Sequence, residues 1–183
     1  AIIIALAILY MATKREIKDS RLLDPNVYLS EKIESPAVYG IIKPKIVLPA
    51  SFADTDREYV LQHERTHIRR CDNLWRLIGF LLTAVHWFNP LSWLFLKVFL
   101  ADLELACDEK AVSKYTDEER KEYARTLLNC VQNKNVFVSA FGGAKVRTRI
   151  ENVLSYKQMT LVSSVGFALL IIAIIYTLLT NAG

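Results

Sequence analysis

His63-Glu64-Arg65-Thr66-His67 closes a run that opens with Asp54-Thr55-Asp56 and passes through Tyr59, Val60 and Leu61. The five residues fit H-E-x-x-H and use two of the chain's three histidines. The acidic opening favours a helix start, with N-cap oxygens ahead of the first turn. On a helix, positions i and i+4 share a face, so both imidazoles can reach one ion. A catalytic zinc takes about three protein ligands and keeps one position open for water. Glu64 is placed to take a proton from water held there. The motif predicts zinc-assisted peptide hydrolysis, with His63 and His67 as Zn2+ ligands and Glu64 as the catalytic base. Read blandly, the same residues are polar groups on a solvated helix face, so the flanking sequence has to decide.

A third ligand must come from elsewhere in the chain. Residues 74–101 are strongly apolar but interrupted by Arg76, His86, Asn89-Pro90 and Lys97. Asn-Pro predicts a helix break. The two arms, about 16 and 11 residues, are each short for a membrane span of about 20. A helical hairpin dipping into a membrane fits them, with Trp75, Trp87 and Trp93 at interfacial depth. The hairpin returns the chain to the motif helix and delivers Asp102-Leu103-Glu104-Leu105-Ala106-Cys107-Asp108. Glu104 is the candidate third ligand, with Asp102 and Glu109 as alternatives. Asp108, one turn on, can accept a hydrogen bond from a ligand histidine. His86 could assist a transition state, although a histidine in an aromatic cluster is more often structural.

The bulk composition points to a membrane. Apolar residues make up 52% of the 183-residue chain, and mean hydropathy is +0.22. Met159 to Leu179 holds 21 residues without a charge. As a helix it covers about 32 Å, the thickness of a bilayer core. The opening AIIIALAILYMA is too short to cross and reads as the C-terminal part of a transmembrane helix, residues 1–12. Lys14, Arg15 and Lys18 follow that segment, and Lys145, Arg147, Arg149 and Lys157 precede the last one. The positive-inside rule then places residues 13–158 in the cytoplasm, between spans at 1–12 and 159–180. A net charge of +4, clustered at membrane flanks, suits lipid headgroups and argues against direct nucleic-acid binding. Cys71, Cys107 and Cys130 form no disulfide framework and read as reduced thiols.

Upstream, residues 13–35 are polar and read as a connector with some helix. Ser35-Pro36-Ala37-Val38-Tyr39-Gly40-Ile41-Ile42 and Lys45-Ile46-Val47-Leu48-Pro49, split by Lys43-Pro44, predict two short strands or a hairpin. Their prolines demote them to edge strands, and an exposed edge can hold an extended peptide. Downstream, Val136-Phe137-Val138-Ser139-Ala140-Phe141 precedes Gly142-Gly143. This patch could enter the active site as a strand and be cut near Ser139, Ala140 and Phe141. The plainer reading is a strand or loop that leads into the last helix.

The order H-E-R-T-H-I-R-R-C-D, L-W-R-L, H-W-F-N-P-L and D-L-E-L-A-C-D-E resembles the membrane metallopeptidases of the BlaR/MecR type, bacterial β-lactam-sensing signal transducers. The upstream S-P-A-V-Y-G-I-I-K-P-K-I-V-L-P and the late R-T-R-I-E-N-V-L are similar to that family too. The resemblance implies Zn2+ on His63, His67 and Glu104, with Glu64 as general base and acid. It implies a mainly α membrane protein: a cytoplasmic gluzincin-like zinc metalloprotease domain with a short β-hairpin, flanked by transmembrane helices. The expected location is the cell membrane, multi-pass. Its expected partners are the lipid bilayer, a protein or peptide substrate (itself and a DNA-binding repressor) and a second copy as a homodimer. In the family an extracellular penicillin-binding sensor follows the last helix. No S-x-x-K motif of such a sensor stands in the sequence through Gly183, and there the pattern departs from the family's. The competing expectations are a general membrane quality-control or prenyl-protein-type metalloprotease, and a transducer whose metal only holds the fold.

Overall fold

The structure is a computed structural model that describes residues 20–33, 35–50, 54–132, 145–157, 166, 169–173 and 177. Most of both expected spans and the whole 136–141 patch lie outside the described residues. Among those described, no helix is long and apolar enough to cross a membrane.

The described residues begin with strands where the sequence suggested a connector with some helix. Arg21–Asp24 (β1) and Val27–Ser30 (β2) pair antiparallel around Pro25-Asn26. Asn26 sits at φ 66°, and Pro followed by Asn is the pairing a type II turn favours. Charged neighbours hid a short β-prone run, Val27-Tyr28-Leu29, that buries Val27 almost completely. Ala37–Tyr39 (β3) and Lys45–Pro49 (β4) form the antiparallel hairpin, joined through Gly40 at φ +90°.

The sheet order is β1-β2-β4-β3, with β2 and β4 parallel. Thus β4 is an inner strand, contrary to the edge placement inferred from its prolines. Pro44 precedes the strand and Pro49 is its last residue. The ladder N–H groups between them are intact, so the prolines remove nothing from the pairing. Ile46, Val47 and Leu48 are 0–2% exposed.

Among the described residues from Asp54 to Leu154, five helices follow. Asp54–Arg69 (α1) lays Val60 on the sheet beside Val27, Ile46 and Leu48. Asp72–Val85 (α2) starts after a sharp reversal, with Cys71 in the left-handed region at φ 57°. Pro90–Val112 (α3) starts at the Asn-Pro break: Asn89 Oδ1 accepts from the Leu91 N–H at 2.9 Å, and Pro90 takes the first turn, where its missing donor is harmless. The return arm does not end near Ala101. It runs unbroken for 23 residues, so Glu104 and Asp108 share one rigid helix with the apolar hairpin.

Asp117–Gln132 (α4) opens with a capping box. The Thr116 N–H donates to Glu119 Oε2 at 2.7 Å, and the Glu119 N–H donates to Thr116 Oγ1 at 3.3 Å. Val146–Leu154 (α5) closes the fold by burying Val153 against Val112, Tyr123 and Leu127.

Helices α2 and α3 pack on each other through Leu96 and Phe99 against Gly79. Their outer faces carry Val85, Trp87, Phe88 and Leu91, each at least 66% exposed.

Candidate metal centre

Helix α1 delivers His63 and His67 on one face. They are 7% and 4% exposed, and their Nε2 atoms stand 3.0 Å apart. The hydrogen bonds behind each ring account for this. Tyr123 Oη donates its only proton to Asp108 Oδ1 at 2.7 Å. It must therefore accept from His63 Nδ1–H, 2.8 Å away. Asp108 Oδ1 itself lies 3.2 Å from the same nitrogen. On the other ring, His67 Nδ1–H donates to Asp72 Oδ2 at 2.6 Å. Both rings thus turn Nδ1–H toward partners behind them, and their Nε2 atoms converge on one point.

The third helix brings a carboxylate beside the pair. Glu104 Oε1 is 3.6 Å from His67 Nε2, and Oε2 is 3.8 Å from His63 Nε2. Donors about 2.0–2.2 Å from one tetrahedral zinc stand roughly 3.3–3.5 Å from each other. Two imidazoles and a carboxylate at these separations fit such an ion. Of the alternatives left open, Asp102 and Glu109 are exposed, and Glu109 instead accepts from Asn152 Nδ2 at 3.1 Å.

A second donor is close by. His63, His67 and Cys107 offer ligand atoms that all lie within 4.8 Å of one another. Cys107 Sγ, however, is 3.7 Å from His63 Nδ1 and 3.5 Å from the His63 carbonyl oxygen. That is the side of the ring committed to Tyr123 and Asp108. Glu104 faces the converging nitrogens, while Cys107 lies against the Nδ1 side of His63 and also reaches His67.

The electrostatics of the cluster favour positive charge. Burial would lower His67, yet Asp72, Cys107 and Glu64 together outweigh it and raise its pKa to about 9. His63 is likewise raised against its burial by Tyr123 and Asp108. Burial would push the Glu104 carboxyl up, but His63 and Arg149 hold it well below the usual range. Asp108, pushed up by burial, is held at about 2 by Arg149 and His63. A buried cleft of ionised carboxylates around two imidazoles is where a divalent cation gains most.

Four of these side chains were not singled out in the sequence. Asp72 follows the R-R-C turn, and only the Cys71 reversal aims it back at His67. Tyr123 lies in a polar helix with nothing to mark it. Arg76 reads as an interruption of the apolar arm, yet it donates to Glu104 Oε1. Arg149 was counted among the cations at a membrane flank. It is instead 8% exposed, with Nε 2.6 Å and Nη2 2.8 Å from the two Asp108 oxygens. Glu64, on α1 between the histidines, is 8% exposed. His86 is exposed at the end of α2, its Nδ1 on the Leu82 carbonyl at 2.9 Å. Ser139, Ala140 and Phe141 lie outside the described residues.

The family model described as BlaR1 peptidase M56 matches residues 6–155. The chain is 28% identical over 138 residues to the regulatory protein BlaR1 of Bacillus licheniformis, covering 70% of this chain and 23% of that protein. It is 23% identical over 141 residues to the methicillin resistance mecR1 protein of Staphylococcus aureus strain Mu50, covering 71% and 24%. Against the regulatory protein BlaR1 of Staphylococcus aureus it is 26% identical over 135 residues, covering 68% and 23%. The chain spans about a quarter of the length of the curated relatives it matches.

Proposed function

The chain belongs to the BlaR1 peptidase M56 family, and from that premise we propose that it is a membrane-held regulatory zinc endopeptidase. The observation that carries the reading is the pair of converging Nε2 atoms, 3.0 Å apart, with the Glu104 carboxylate beside both. His63, His67 and Glu104 hold the metal. When bound, zinc supplies a Lewis acid that polarises the scissile carbonyl and acidifies water.

The protein's own residues do the rest. Glu64 accepts the proton of the attacking water and passes it to the departing amine. Asp72 and the Tyr123–Asp108 pair keep both imidazoles in the Nδ1–H tautomer, so no ring turn is needed before reaction. The walls of the site, with Asp108, Cys107 and Asp72 at 0–1% exposure, keep bulk water from screening these charges.

The exposed apolar face of the α2–α3 hairpin and the uncharged run 159–179 support seating in a bilayer. The basic flanks support a cytoplasmic peptidase between two spans, residues 1–12 and 159–180. Relatives described as regulatory and methicillin-resistance proteins support a signalling role in antibiotic-resistance induction. Its substrates would be the chain itself, near residues 139–141, and a transcriptional repressor.

Purified full chain in detergent, wild type beside Glu64→Gln, tests the reading. Elemental analysis should find zinc retained in both. Mass spectrometry should find peptide fragments forming about 10²–10⁴-fold more slowly in the variant, the contribution expected of a positioned general base. Equal fragment patterns, or a wild type that binds no zinc, would overturn it.

A further inference from the structure

Glu104 is gripped from two sides by residues that bind no substrate in the mechanism above. Arg76, from α2, donates to Oε1. Arg149 Nη1, from α5, stands 3.3 Å from Oε2. Each carboxylate oxygen thus faces one guanidinium and one imidazole. Arg149 is itself fixed: its Nε and Nη2 bond both oxygens of Asp108, which also accepts from Tyr123. Its Nη2 also lies 3.3 Å from His63 Nε2.

We propose that Arg76 and Arg149 are positioning residues that clamp Glu104 in its ligating orientation. The inference rests on the zinc reading of the site. A glutamate side chain has three rotatable bonds, and a free one spreads over many rotamers. Donors on both oxygens, from helices fixed independently, remove that freedom before any ion arrives. Two opposing effects are in play. A cation beside a ligand repels the incoming metal, whereas a ligand held in place binds more tightly. The bidentate lock of Arg149 on Asp108 makes orientation the larger effect. It offsets the guanidinium charge, and it leaves little slack in the arm that reaches Glu104.

Zinc affinity, measured on the full chain by competition with a chromophoric chelator, tests the clamp. Arg76→Ala, Arg149→Lys and Arg149→Ala are compared with wild type, with helicity checked by circular dichroism. Arg147→Ala, at an exposed pair with Glu151, is the surface control. The expected result is a 10–100-fold weakening for Arg76→Ala and Arg149→Ala, a smaller one for Arg149→Lys, and none for Arg147→Ala. The visible spectrum of the cobalt-substituted protein should shift in the same variants, and KM for peptide should not.

If Arg149→Ala fails to fold, Arg76→Ala and Arg149→Lys decide. Affinity unchanged or increased in both overturns the clamp while leaving the zinc site standing. A rise in KM with unchanged zinc affinity would assign Arg149 to substrate and also overturn it. A wild type that binds zinc no better than His67→Ala would instead overturn the site reading, and the clamp with it.

Discussion

Asp108→Asn should lower the stability of the folded domain by about 2–3 kcal/mol at neutral pH, and Asp108→Ala by about 3–5 kcal/mol. The Asp108 side chain is fully buried. It carries a bidentate arginine, a tyrosine hydroxyl and a histidine edge. Burial pushes its carboxyl up, but Arg149 and His63 bring it from 3.8 to about 2. That is close to two units, each worth about 1.36 kcal/mol of preference for the ionised form. Asparagine keeps an acceptor for Tyr123 but gives up this preference. Alanine also strands Arg149 without a partner, which raises the loss to the range for a broken buried pair.

The sign of the pH dependence follows. A depressed carboxylate contributes fully above its unfolded pKa, and the contribution is lost as pH falls through 3.8 toward 2. Urea unfolding of wild type and Asp108→Asn, followed by circular dichroism in the same detergent, should differ by about 2–3 kcal/mol at pH 7 and by under about 1 kcal/mol at pH 2. A gap below about 1 kcal/mol at pH 7, or one that persists unchanged in acid, refutes the assignment of Asp108 as an ionised structural hub.

Three further outcomes are expected. Asp72 holds His67 at about 9, so below that pH zinc must displace its proton. The logarithm of zinc affinity should therefore climb by at least about one per pH unit between 7 and 8, and Asp72→Asn should reduce that slope by about one. Equal slopes would detach Asp72 from His67. At Gly79 a Cβ would meet Phe99 Cδ1 and Cε1 at 3.0 Å. Gly79→Leu should thus cost about 1–3 kcal/mol in thermal unfolding, while Gly79→Ala stays within about 1 because the gain in helix propensity offsets the contact. Asn73 Nδ2 donates to the Val38 and Gly40 carbonyls at 3.1 and 2.9 Å. Asn73→Ala should speed amide exchange along β3, and exchange at the wild-type rate would show that the edge is held by other means.

The parts of the fold readable in advance were those with a local signature. H-E-x-x-H needs only helical periodicity, and Asn89-Pro90 needs only the steric rule before proline. Glu104 was reachable because the hairpin's return sets its place. The supporting groups have no such mark. Tyr123 and Arg149 meet His63 from 60 and 86 residues away, through packing of α4 and α5 that no short window contains. The β1–β2 hairpin was missed because charge masked a strand of four residues. The inner place of β4 was missed because proline position within a strand matters more than its presence.

Arg149 approaches the centre from α5, beyond residues 139–141, the place the sequence offers for self-cleavage. In the intact chain α5 is tethered, and a short tether holds its cargo at an effective concentration on the order of millimolar. After a cut there, α5 would stay on the peptidase through non-covalent contacts, among them Arg149 on Glu104 and Asp108, Asn152 on Glu109, the Tyr156 carbonyl on Arg120, and Val153 in the core, while the span expected after it would keep it at the bilayer. The arginine would become a dissociable subunit of its own enzyme. One cleavage would then start a clock, and the lifetime of the cut form would be set by how fast α5 leaves.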